Sequence, residues 1–173
     1  MTKITCIRKQ KLYGLIVFSL LAPFLIAQHA YGATRLDVQK IKDLLNSMGT
    51  SVVNKNCNDE GLYAYYELED GGLDQIVMCI DTLTKGDIEE YWETLAHEAT
   101  HVMHGCIGGN AIEDSRIARV YRELKEINRT SFKELRNYES SSRRDEVEAR
   151  WMELQTPDTV LRILRKSCKD YIR

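Results

Sequence analysis

Residues 91–105 read YWETLAHEATHVMHG, and this stretch decides how the chain folds. Apolar side chains recur at Tyr91, Leu95, Val102 and Met103 with helical spacing. Asp87 stands where an N-cap belongs, and Gly105 where a helix can stop. Within that helix His97 and His101 are four residues apart, so their side chains stack on one face about 5–6 Å apart at Cβ. Two imidazoles so placed can converge on one tetrahedral zinc ion. Glu98, one residue further on, projects beside the metal rather than into it, where a carboxylate can serve as general base on a water that the metal activates. A catalytic zinc keeps three protein ligands and one open position. His104 lacks a matching partner and reads as an outer-layer or surface residue.

Before this helix the pattern changes character. Arg35 to Gly49 carries Leu36, Val38, Ile41, Leu44, Leu45 and Met48 at helical spacing, with Gly49 as C-cap. Thr50 to Lys55, Leu62 to Leu68 and Gln75 to Ile80 are rich in Val, Ile, Tyr and Thr. They are separated by the turn clusters Asn58-Asp59-Glu60-Gly61 and Asp70-Gly71-Gly72. This predicts an α+β fold: an N-terminal helix, a small antiparallel sheet of about three strands, then the HExxH helix and C-terminal helices. Those last run from about Glu113 to Ile127, from Arg144 to Gln155, and from Pro157 through Cys168, packed on one side of the sheet.

The first residues stand apart. Lys3, Arg8, Lys9 and Lys11 precede any acid, Leu12 to Ala27 is apolar, and Ala30-Tyr31-Gly32 is a small-residue site. That order predicts a signal peptide over 1–32, and a single domain over 33–173. The apolar run is short for a membrane span and contains Pro23, so the mature form is expected to be free of the membrane, and secreted or periplasmic. The whole chain has a net charge of −2; without those four basic residues it falls to −6. So acidic a domain is a poor nucleic-acid binder. Beyond the leader Cys57, Cys79, Cys106 and Cys168 remain, an even number that predicts two disulfides in an oxidising compartment. Of three pairings, Cys57–Cys79 would staple the sheet and Cys106–Cys168 would pin the last helix to the histidine helix.

No histidine follows His104, so the third ligand must be a carboxylate or be missing. The best candidates lie in Asp145-Glu146-Val147-Glu148-Ala149-Arg150, with Glu146 and Glu148 about 200° apart around the helix. HEATH followed by EVEAR resembles the gluzincins, zinc peptidases whose third ligand is a helical glutamate. The pattern is similar to the ExEA(N/D) of ImmA/IrrE-type and CAAX-processing zinc peptidases. The resemblance implies Glu146 as ligand and position 150 as the group that orients a ligand histidine. Arg150 departs from it, because a guanidinium cannot accept from an imidazole N–H. Either Glu148, Asp145 or Glu153 would then replace it, or the ligand would be shifted. Oxyanion donors are conceivable in Tyr138 and Tyr171, by type, and in Arg150 or Arg144, by position, and none is assigned. The implied activity is that of an exported zinc peptidase, an endopeptidase, acting on a peptide or protein laid along an exposed edge strand within Gln75 to Ile80. The competing expectation is a zinc-binding interaction module without turnover.

Overall fold

The computed structural model describes Thr2–Thr5 and residues 32–69, 74–140 and 142–173. The elements run β1 (Thr2–Thr5), α1 (Arg35–Met48), β2 (Ser51–Lys55), β3 (Ala64–Leu68), β4 (Asp74–Cys79), α2 (Ile88–Ile107), α3 (Asp114–Ile127), α4 (Arg129–Glu134), a 3-10 turn Leu135–Asn137, α5 (Arg143–Glu153) and α6 (Pro157–Ser167). The α+β architecture is as the sequence predicts. The expected leader lies largely outside the described residues, as does the turn Asp70-Gly71-Gly72. No helix among the described residues is long and apolar enough to cross a membrane.

Each helix end has a local cause. Thr34 and Asp37 form a reciprocal capping box on α1, and Gly49, at φ 98°, closes it in the left-handed region that glycine enters without strain. Asp87 accepts from the Glu90 backbone N–H and starts α2. Helix α2 does not stop at Gly105 as expected. It continues to Ile107 and is closed by Gly108, whose φ is 65°. Gly105 stays helical, and the next residue, Cys106, is bonded to Cys168 of the last helical segment. Ser142 occupies the N-cap of α5, but its hydroxyl bonds Glu139 O and caps nothing. Pro157 opens α6 as read.

The sheet differs from the antiparallel expectation. Strands β3 and β4 are antiparallel, but β2 pairs with β4 in parallel, Ser51 opposite Gln75 and Lys55 opposite Cys79. The connection from β2 to β3 is therefore no hairpin: it crosses the end of β4. Two ties hold it there, the Cys57–Cys79 disulfide and the Asp81 carboxylate, which accepts from the backbone N–H groups of Cys57 and Asn58 at 3.0 and 2.8 Å. Both join the exit of β2 to the exit of β4, so the two strands must point the same way. Strand β4 is thus interior, and the expected substrate edge at Gln75 to Ile80 does not exist. Thr2–Thr5 lies antiparallel along the outer edge of β3.

Helices α1, α2 and α6 pack with the sheet around Ile41, Leu45, Ile76, Met78, Leu95, Met103 and Leu164, all buried. Full burial of each such side chain contributes about 1.5–3 kcal/mol. A second cluster of Ile112, Val120, Leu124, Leu135 and Val147 joins α3, the 3-10 turn and α5. Met152 of α5 belongs to the first cluster and Val147 to the second, so α5 is clamped between them, against α2.

Candidate metal centre

The face that α2 turns towards α5 carries His97 and His101, with relative exposures of 0 and 4 %, and Glu98, next to His97 in sequence, is buried at 0 %. Across from it, α5 supplies Glu146, 1 % exposed. Ala149, buried one turn along, leaves room for the helices to approach. The Thr94 and Thr100 hydroxyls bond back to the carbonyls of Glu90 and Ala96, so this apolar stretch of α2 keeps them satisfied.

His97 Nε2 and His101 Nε2 are 3.3 Å apart. His97 Nε2 lies 3.5 Å from Glu146 Oε2, and His101 Nε2 lies 3.4 Å from Glu146 Oε1. Ligand atoms at about 2.0–2.1 Å from a tetrahedral zinc are separated by about 3.3 Å, the edge of the tetrahedron they span. The observed triangle has that edge. These three residues can hold a metal ion, and among the described residues they form the one such group.

The electrostatics point the same way. Burial first, then the neighbouring His97, pushes His101 down to about 3, so it is a neutral imidazole at neutral pH. Burial raises Glu146, but its contact with His97 first, then with His101 and the nearby Tyr138, outweighs it and holds the carboxyl at about 2. Four glutamates of α2 and α5, Glu98, Glu146, Glu148 and Glu153, are buried together with one arginine, Arg150. Isolated buried anions are costly, so this surplus favours a cation. The donor set of two imidazoles and a carboxylate suits zinc and leaves a coordination position for water.

The two candidate carboxylates are separated cleanly. Glu146 joins the histidines. Glu148 turns away and accepts from the backbone N–H of Ala111 at 3.0 Å and of Ile112 at 2.9 Å, with His104 Nε2 at 3.2 Å. It fastens the loop after α2 to α5, helped by the Asn110–Asp145 bond and by Arg144, which pairs with Asp114 and donates to Ile112 O. The acceptor for the His97 imidazole is Glu153, whose Oε1 is 2.7 Å from Nδ1; Glu148 and Asp145 are engaged with the loop. Arg150 is bonded to Glu153 at 3.2 Å and to Glu134 at 3.3 Å. Glu134 had no signal in the sequence, since it lies on the short helix α4 that the reading left out. Tyr138 lies at the site beside Glu146, whereas Tyr171 is half exposed near the C-terminus.

Both expected disulfides are present, Cys57–Cys79 and Cys106–Cys168, which fits an oxidising, extracellular environment. Comparison with curated proteins and with solved structures finds no match. The segment from residue 73 to residue 169, more than half of the chain and the part that carries every residue of the metal centre, matches the model of a family described as a domain of unknown function (DUF8637), and the chain belongs to that family.

Proposed function

We propose that this chain is a zinc-dependent peptidase acting outside the cytoplasm, with His97, His101 and Glu146 as metal ligands and Glu98 as general base. The observation that carries the reading is the ligand triangle, of tetrahedral edge length, with a fully buried glutamate next in sequence to one of its histidines. A bound zinc supplies Lewis acidity, polarising a carbonyl and making a water acidic near neutral pH. Glu98 accepts a proton from the attacking water and returns it to the departing amine nitrogen as the peptide bond breaks. Glu146 supplies the negative ligand and Glu153 holds the His97 ring.

Replacing Glu98 by Gln leaves the three ligands in place and removes the base. Zinc content should stay at one per chain, while hydrolysis of an unfolded protein substrate should fall at least about 100-fold, the lower end for loss of general base catalysis. A Gln variant that cuts at the parental rate refutes the assignment. The burial of His97, Glu98, His101 and Glu146, all at 4 % exposure or less, favours a second reading, a zinc-stabilised interaction module without turnover. A parent that holds zinc and cuts no unfolded substrate, with chelator making no difference, decides for the module.

A further inference from the structure

We infer that Glu153, held by Arg150, is the positioning residue that fixes His97 in its metal-ready tautomer, and that Glu134 anchors this pair from α4. The inference rests on the metal-binding part of the proposal above and does not need peptidase activity. Glu153 Oε1 lies 2.7 Å from His97 Nδ1. A carboxylate only accepts, so the ring proton sits on Nδ1 and the Nε2 lone pair is directed to His101 and Glu146. The same Oε1 accepts from Arg150 at 3.2 Å, and the other arm of that guanidinium reaches Glu134 at 3.3 Å. Side-chain exposures along this row are 0 % for His97, 6 % for Glu153, 2 % for Arg150 and 12 % for Glu134. Three elements, α2, α5 and α4, contribute to it.

The spacing on α5 shows why the row works. Glu146, Arg150 and Glu153 stand at i, i+4 and i+7, one stripe of the helix. In the ExEA(N/D) pattern the position after the alanine accepts from the histidine. Here that position donates, and the acceptor has moved one turn further to a longer acid. Guanidinium and carboxylate come as a pair: Glu153 without Arg150 would add another buried anion near Glu146, and Arg150 without Glu153 would lose one of its two carboxylates. Arg150 thus turns a change that would cost the histidine its acceptor into one that relocates it.

The experiment uses the full chain in three forms: parent, Glu153→Ala and Glu153→Gln. Zinc affinity is read by competition with a chromogenic chelator, and the His97 tautomer by long-range nitrogen-15 NMR of the metal-free protein. The alanine variant should bind zinc about 10–100-fold more weakly, as for loss of an outer partner of a ligand histidine, and His97 should leave the Nδ1–H form. The glutamine variant, whose amide oxygen still accepts, should keep the Nδ1–H form and lose less affinity. Parental affinity together with an unchanged tautomer in the alanine variant overturns the inference. Should that variant not fold, Glu153→Met, similar in volume but without an oxygen acceptor, decides: weaker zinc binding with loss of the Nδ1–H form supports the inference, and parental affinity with an unchanged tautomer overturns it. A parent without peptidase activity would sink the proposed reaction and leave these readouts intact.

Discussion

Glu148→Ala separates the structural carboxylate of α5 from the ligand. Glu148 is 2 % exposed at its side chain and accepts from two backbone N–H groups and faces His104. Hydrogen bonds to a charged group are worth about 1.5–3 kcal/mol each. The Ile112 N–H lies in a residue only 7 % exposed, so its loss of a partner carries a desolvation penalty of about 1–3 kcal/mol. Ala111 is exposed, and water can replace its bond. His104 is partly exposed as well, so the net cost should be roughly 2–5 kcal/mol. For a domain of this size that lowers the melting temperature by roughly 8–20 °C. Glu148→Gln keeps one acceptor oxygen and should lose about half as much. Zinc affinity of both variants, measured by chelator competition at a temperature where they are folded, should stay within about tenfold of the parent. Glu146→Ala should do the reverse, losing zinc more than about 100-fold with a smaller thermal effect. If Glu148→Ala melts like the parent, or gives up zinc as readily as Glu146→Ala, the division of roles between the two glutamates is wrong.

Two further outcomes follow from the geometry. His101 titrates near 3 in the fold and at its ordinary value of 6.5 when unfolded, so between those values the unfolded chain binds more protons and stability falls as the pH falls. Glu146, held at about 2 against an ordinary 4.5, adds loss in the same direction below its ordinary value. The melting temperature of the metal-free protein should therefore drop steadily from pH 7 to pH 4, and a flat profile there would refute the buried, neutral imidazole. The Cys106–Cys168 bond closes a separation of 62 residues and the Cys57–Cys79 bond one of 22, so chain entropy gives about 4 and about 3.4 kcal/mol. Paired Cys→Ser variants should melt lower in that order, and the Cys106/Cys168 variant should also bind zinc less tightly, because the end of the ligand helix loses its anchor. A larger loss from Cys57/Cys79 would mean that the parallel β2–β4 pair, not α6, is the weaker link.

The histidine helix and its Asp87 cap were legible from short-range signals, the two disulfides from a count, and their pairing from where the elements were expected to lie. Glu146 was legible only through the resemblance, since a run such as DEVEAR also fits a solvated helix face. What escaped depends on long-range contact. The direction of β2 is set by bonds from Cys57 and Asn58 to residues more than twenty positions away, which no local pattern records. Gly105 looked like a stop, yet glycine inside a helix is only mildly unfavourable and tertiary contacts override it. Glu153 was one of three alternatives for the orienting group, and Arg150 read as a departure; only the packed pair explains both.

Helix α5 shows why a metal held by Glu146 would serve the fold as well as the site. Residues Glu146 to Arg150 are buried without a break, and Met152 and Glu153 follow. Of these seven, three are glutamates and one is an arginine; Val147, Ala149 and Met152 are the only apolar side chains. Taking an ion out of water costs several kcal/mol even after relaxation, so apolar contact alone does not hold such a helix between two cores. Each charge must instead be matched individually. Glu148 is matched by the backbone N–H groups of the loop, and Glu153 by His97 and Arg150. Glu146 is the one whose neighbours are two imidazoles, of which His101 is neutral at physiological pH. A divalent cation at the centre of that triangle would complete the series and join α2 to α5.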